Sequence, residues 1–185
     1  MFLAFDTETT GLTEQCNVLT AYFIILDSDL NQVDTLDLKI KHEYYTVYAK
    51  ALEINKIDLV GHHNTSINKS EACLQLIEFL HKNKTDDKYK MLGHNVSYDL
   101  KMLKSNNLFT NAIMEKYISD DSVDTLTLMR KIKSDKHIPS KQSISLSKIC
   151  YYYDIELDTD VGYHNAEYDI RMTIELYKKI KIMYF

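Results

Sequence analysis

The chain begins with a short apolar run, MFLAF, that breaks into DTETTGL, so that Asp6 and Glu8 stand two positions apart where a buried strand ends. On a strand, residues i and i+2 project from the same face, at about 3.3 Å of rise per residue. The two carboxylates therefore lie side by side, roughly 7 Å apart along the chain. Like charges that close repel, so either one keeps its proton or both bind a cation. Oxygen-only ligands suit a hard divalent ion such as Mg²⁺ or Mn²⁺. The competing reading is that TTG turns the chain and both carboxylates face water.

The segments that follow read as more strands and then as helices. Residues 17–27 (NVLTAYFIILD) and 33–41 (VDTLDLKIK) are rich in β-branched and apolar residues, with the turn-like SDLNQ between them. With the first run they form a three-strand meander. The period then changes. ALEINKI reads as a short helix, and KSEACLQLIEFLHKNK sets Ala72, Leu76, Phe79 and Leu80 on one side of an amphipathic helix with Ser70 as its cap. YKMLG is a buried strand, and SYDLKMLKSNN a helix with Leu100 and Leu103 as apolar positions. SVDTLTLMRKIKS turns from strand to helix near Asp124, SLSKICYYYDI is a short helix, and Ile170, Ile174 and Tyr177 mark a last one. The expected architecture is α/β, a mixed five-stranded sheet flanked by helices.

Composition limits the function. The 185 residues suit a single domain, 1–185, and lack any repeat or linker-like tract. No run of 18 apolar residues is present, which argues against a membrane partner. Cys16, Cys73 and Cys150 are few and scattered, as expected of reduced thiols in a cytosol-like compartment. A net charge of −5 opposes a broad electrostatic grip on duplex DNA. An enzyme holding one strand end through metals and a small local basic patch remains compatible with it.

Two further stretches bear on the opening pair. GHNVSYDLKML puts Asp99 in the first turn of a helix straight after a strand. GYHNAEYDIRMT puts His164 five positions before Asp169, with a helix beginning between them. Each alone has an ordinary explanation, a dipole partner or a loop residue. Together they set four carboxylates and a histidine at strand ends and helix starts that can converge.

FDTETTGL, GHNVSYD and HNAEYD resemble, in order, the three motifs of the DEDDh (DnaQ-like) 3′→5′ exonucleases, which include a polymerase proofreading subunit, ribonuclease T and the oligoribonucleases. The resemblance spans essentially the whole chain. It implies an RNase H-like fold and two-metal phosphodiester hydrolysis. Asp6, Glu8, Asp99 and Asp169 match the metal ligands, and His164 matches the general base, work suited to a histidine's unperturbed pKa of ~6.5. The sister group carries tyrosine four positions before the last aspartate, where this chain has Asn165. Backbone around Thr7 to Thr9 is implied to meet the terminal nucleotide, with Leu12 wedged beside its base; a core position is the other reading of Leu12. Asn95 either bonds sugar or phosphate or caps the Asp99 helix. Tyr98, also implied on the substrate-binding side, stands where phenylalanine is usual, and Asp124 supports the site without binding metal. The implied cofactors are two Mg²⁺ or Mn²⁺ ions. The implied partners are single-stranded DNA or RNA 3′ ends and, by the habit of the group, a homodimer mate or a polymerase. The motifs fit proofreading-like DNA cleavage, exoribonuclease action or a non-catalytic binding module, although none of the five site residues is missing.

The other candidates read as structural. His62 and His63 lack zinc partners at a suitable spacing and are expected in a solvated loop. The basic stretch from Lys131 to Lys141 is expected on a solvated face, with phosphate contact as its alternative. Tyr151–Tyr153 is expected to be core and rim more than a base-stacking platform.

Overall fold

The computed structural model describes residues 1–157 and 162–184. Six strands form one sheet: β1 (Phe2–Thr9), β2 (Val18–Leu26), β3 (Gln32–Lys41), β4 (Ile67–Asn68), β5 (Tyr89–Gly93) and β6 (Ile118–Asp124). Their order across the sheet is β4-β3-β2-β1-β5-β6. β1, β2 and β3 are antiparallel neighbours, while β5 runs parallel to β1 and β6 parallel to β5. The meander followed by alternating units is thus present. The expected five strands become six through β4, a two-residue strand paired parallel to β3, too short to carry a periodic pattern.

The helices are α1 (Ala49–Asn55), α2 (Leu59–Thr65), α3 (Lys69–Lys82), α4 (Val96–Ser105), α5 (Asn111–Tyr117), α6 (Thr125–Ser134), α7 (Leu146–Tyr152) and α8 (Ala166–Tyr184). α3 buries Ala72, Leu76, Phe79 and Leu80, the expected stripe. Its cap is Asn68, whose side chain accepts from the Glu71 N–H, and not Ser70; pairing of Asn68 with Lys41 fixes the chain at that point. His62 and His63 lie on α2 and not in a loop. His62 is buried, its Nε2 3.1 Å from the Ile40 carbonyl and 3.2 Å from the Ser66 hydroxyl. Among the described residues no helix is long and apolar enough to cross a membrane.

Apolar side chains fill both faces of the sheet. Leu3 and Phe5 of β1 join a cluster with Phe23, Leu76, Met102 and Phe109. Ala4, on the opposite face, joins Ile24, Leu92, Ile170 and Ile174 under α8. A third cluster, with Met129, Ile149 and Leu176, binds α6 and α7 to α8. Because β1 and β5 are parallel neighbours, their carboxyl ends emerge side by side, next to the antiparallel half of the sheet. Crevices outside the carboxyl ends of strands, where the order reverses, are the usual ligand sites of α/β sheets.

Candidate active site

Asp6 and Glu8 continue the face begun by Ala4, so both point toward α8. They pair across the sheet with Tyr22 and Thr20, and the register shifts just beyond Glu8, where the strand ends. The third carboxylate comes from α8. Asn165 starts that helix by accepting from the Glu167 and Tyr168 N–H groups through its side chain, at 3.1 and 3.2 Å. This cap orients the first turn and delivers Asp169 to the end of β1. One oxygen each from Asp6, Glu8 and Asp169 lies within 4.8 Å of the others.

Asp99 arrives from the other side. It sits in the first turn of α4, 4% exposed, and its Oδ1 accepts from the Thr7 N–H at 3.1 Å and the Thr7 hydroxyl at 2.6 Å. Thr7 alternates with Asp6 and Glu8, so Asp99 is moored to the opposite face of β1. That parity explains why it stands beside the three-carboxylate group and not within it. It remains electrostatically in contact: it is the strongest charge acting on Asp6.

The group is held against its electrostatic preference. Burial raises Asp6 well above the usual carboxylate range, and Asp99, Asp169 and Glu8 push it further. Burial, then Asp169, raises Glu8 to about 8, against an opposing hydrogen bond from Asn55. Burial raises Asp99 to about 7 even with the Thr7 bonds drawing it down, and raises Asp169 to about 6. Asp169 Oδ1 is buried without any hydrogen-bond partner, while Oδ2 accepts from the His164 N–H at 3.1 Å. An unpartnered buried oxygen on one member of an all-carboxylate cluster fits a hard divalent cation, which needs deprotonated oxygens and supplies the charge that desolvation withholds.

The remaining candidates fall around this centre. His164 is exposed, with left-handed backbone (φ 67°), beside Asp169. Thr9 is buried and donates to the Gly11 carbonyl at 2.8 Å. The Tyr98 hydroxyl meets the Thr9 hydroxyl at 2.8 Å and the Gly11 carbonyl at 3.1 Å, bonds a phenylalanine lacks. Gly11 has no room for a side chain: a Cβ there would lie 2.5 Å from Tyr48 and 2.7 Å from Cys16. Leu12, next along the turn, is 76% exposed, which removes the core reading.

Asn95 occupies the capping position of α4 with φ 76° but makes no side-chain cap bond. Its N–H instead donates to Asp124 Oδ1 at 2.8 Å. Asp124 also caps α6 through Leu126 N–H, so it joins the starts of two helices. Asn55 gave no signal in the sequence. Its side-chain amide donates to the Thr9 carbonyl at 3.2 Å and lies against Glu8. It ends a seven-residue helix with no buried residue, and only the folded chain brings it to β1.

The peripheral candidates divide. Lys131 is paired with Asp135 at 2.8 Å, and Lys133 Nζ donates to the Gln142 carbonyl at 2.6 Å. Tyr153 is buried with its hydroxyl on that of Tyr184, while Tyr151 is exposed.

A family model described as an exonuclease, RNase T, matches residues 3–177. No curated protein sequence matches the chain. Among solved structures, Escherichia coli Exonuclease I in complex with a dT13 oligonucleotide aligns with TM-score 0.79 at 20% identity, covering 97% of this chain and 40% of that one. The zinc-ion-bound E. coli Exonuclease I–ssDNA complex gives 0.80 at 20%, covering 99% and 41%. A moderately thermophilic Exonuclease I from Methylocaldum szegediense gives 0.76 at 15%, covering 99% and 40%. The chain thus spans well under half the length of these proteins, and at such identities they share its fold. The family match runs from the first strand into the last helix, across all three motifs, and the chain belongs to the DEDDh exonuclease family, with its RNase H-like sheet.

Proposed function

We propose that residues 1–185 form one exonuclease domain that uses divalent metal to remove nucleotides from the 3′ ends of single-stranded DNA, releasing nucleoside 5′-monophosphates. The observation that carries this reading is the convergence of Asp6, Glu8 and Asp169 within 4.8 Å, with Asp169 Oδ1 buried and unpartnered. The family assignment supports the chemistry. DNA as substrate is supported by the oligodeoxynucleotides held in the Exonuclease I structures.

In this reading Asp6, Glu8 and Asp169 would hold one Mg²⁺ or Mn²⁺, and Asp6 with Asp99 would hold a second. Bound ions supply Lewis acidity to the attacking water and to the departing 3′-oxygen. The protein does the rest. His164, exposed beside Asp169, takes the water's proton as the water oxygen bonds to phosphorus and the bond from phosphorus to the preceding 3′-oxygen breaks. The turn from Thr7 to Leu12, fixed by Tyr98, Asn55 and the Gly11 contact, receives the terminal nucleotide, with the Leu12 side chain against its base. Asn95, at the start of the helix that carries Asp99, bonds sugar or phosphate.

The test uses DNA and RNA strands labelled at the 5′ end, with Mg²⁺, Mn²⁺ or chelator. A ladder shortening from the 3′ end of DNA, abolished by EDTA, is expected. Shortening of RNA alone moves the same chemistry to the exoribonuclease reading, and no shortening of either refutes catalysis. His164→Ala should lower kcat about 10²–10⁴-fold, the usual worth of general-base assistance.

A further inference from the structure

We infer that the exposed face of α4 carrying Lys101 and Lys104 is a phosphate track, which binds the backbone of a single-stranded nucleic acid on the 5′ side of the terminal bond. This inference rests on the exonuclease reading and adds a substrate-binding surface to it.

A polyanion must approach a site built from carboxylates on a chain of net charge −5. The compensating charge has to be local and next to the site. α4 supplies it. The helix begins at the site, with Asp99 in its first turn and the Tyr98 hydroxyl on the turn after β1. One step further, Lys101 Nζ lies 3.5 Å from the Leu12 carbonyl and 5.9 Å from the centre of the Tyr98 ring. It therefore stands at the mouth where Leu12 is exposed. Lys104 and Ser105 follow on the next turn, and Ser97 precedes. The spacing of 97, 101, 104 and 105 keeps all four on one helix face.

That face borders a groove of about 530 Å³ lined by Glu14, Ser97, Leu100, Lys101, Lys104 and Ser105. Its donors suited to phosphate oxygens are the two ammonium groups, since Ser97 Oγ already donates to Asn95 Oδ1 at 3.3 Å and Ser105 Oγ to the Met102 carbonyl at 3.1 Å. Among the described residues neither lysine has a carboxylate within ion-pair distance, whereas Lys82, Lys131 and Lys178 each have one. The basic stretch from Lys131 to Lys141, though denser in the sequence, has its first two lysines occupied by Asp135 and Gln142. Glu14 is the one carboxylate lining the groove, and it opposes phosphate binding there.

The test compares the parent chain, Lys101→Ala/Lys104→Ala and Glu14→Lys with two 5′-labelled substrates, a thymidine dinucleotide and an oligothymidylate of about twelve residues. The double variant should raise KM for the longer strand about tenfold, from two lost phosphate contacts. The increase should be smaller for the dinucleotide, with kcat changing less than KM for both. Its plot of log(kcat/KM) against log[KCl] should be shallower by about 1.4, at ~0.7 per phosphate on a single strand. Glu14→Lys should lower KM for the longer strand, a gain that misfolding cannot produce. Unchanged KM and salt slope in the double variant, with no gain in Glu14→Lys, would overturn the track. Fluorescence anisotropy of the labelled strand in chelator reads binding without turnover. If the parent cleaves nothing, the exonuclease reading fails; the track then stands if the double variant binds more weakly than the parent, and falls if both bind alike.

Discussion

The two faces of β1 share one backbone and meet opposite fates. Toward α4, Phe5 packs edge-on against Phe109 and tilted against Phe23, with ring centres 5.6 and 6.1 Å away, and Thr7 and Thr9 both have their hydroxyls bonded. Toward α8, Ala4 gives way to Asp6 and Glu8, which share a partly desolvated space with Asp169. One face is packed and satisfied. The other holds mutual repulsion and an unpartnered oxygen. Where every other level of a fold agrees, a local conflict of this kind marks a functional site. The difference teaches that the end of β1 divides its work, with Phe5 packing one face while Asp6 and Glu8 carry the acidic chemistry on the other.

Substitution on each face can break that division. Asp6→Asn should drop nuclease activity below about a thousandth of the parent rate, because the Lewis-acid contribution it anchors is worth several kcal/mol. The same change removes a charge from the crowded side, so Tm in chelator should hold or rise. A variant that keeps its activity would detach the acidic face from catalysis. Phe5→Ala should do the reverse. It should lower unfolding free energy by about 3–5 kcal/mol in urea melts. Turnover per folded molecule should stay within a few-fold of the parent. Unaltered stability would remove the packed face from its structural role.

The acidic face also sets a pH dependence of opposite sign to that of ordinary paired carboxylates. Glu8 at about 8, Asp99 at about 7 and Asp169 at about 6 all lie above their unfolded values near 4. The folded chain therefore keeps protons that the unfolded chain releases. The stability these three groups contribute is fully present below pH ~4 and is lost as pH rises to about 8. Each tenfold difference in proton affinity between the folded and unfolded chain is worth about 1.4 kcal/mol. Because the groups titrate together, their losses do not simply add. Urea melts in chelator between pH 4 and 9 measure the combined loss. Added Mg²⁺ should stabilise more at pH 8 than at pH 5, since it binds the deprotonated group. In chelator, a Glu8→Gln variant that loses stability as steeply as the parent over this range would contradict the desolvated cluster.

Much of this was legible before folding. Alternation along MFLAFDTE fixes which side chains share a face, and helical spacing finds the buried stripe of α3, because both depend on local period alone. The three motifs locate the acidic residues at element ends. Their distribution is not local: Asp99 belongs to the Thr7 face, and only the β1–β5 pairing and the rise of α4 decide that. Asn55 is invisible for the same reason, having no pattern of its own and a partner 46 residues away. His62 looks like a loop residue until Ile40 and Ser66 are seen to satisfy its ring. The Lys131–Lys141 stretch looks like the basic patch until its nearest neighbours are known.

The smallest expected effect falls on the satisfied face. Tyr98→Phe removes one hydroxyl, which meets Thr9 Oγ1 at 2.8 Å and the Gly11 carbonyl at 3.1 Å. Thr9 still donates to Gly11, so no buried group is left without a partner. A net hydrogen bond is worth about 1 kcal/mol. For a chain of this length that lowers Tm by about 2–4 °C. The ring itself is kept, so its packing should survive and kcat should change less than about threefold. A larger loss of kcat with stability unchanged would mean that the hydroxyl reaches the terminal nucleotide itself. The packed face of β1 would then take part in the chemistry.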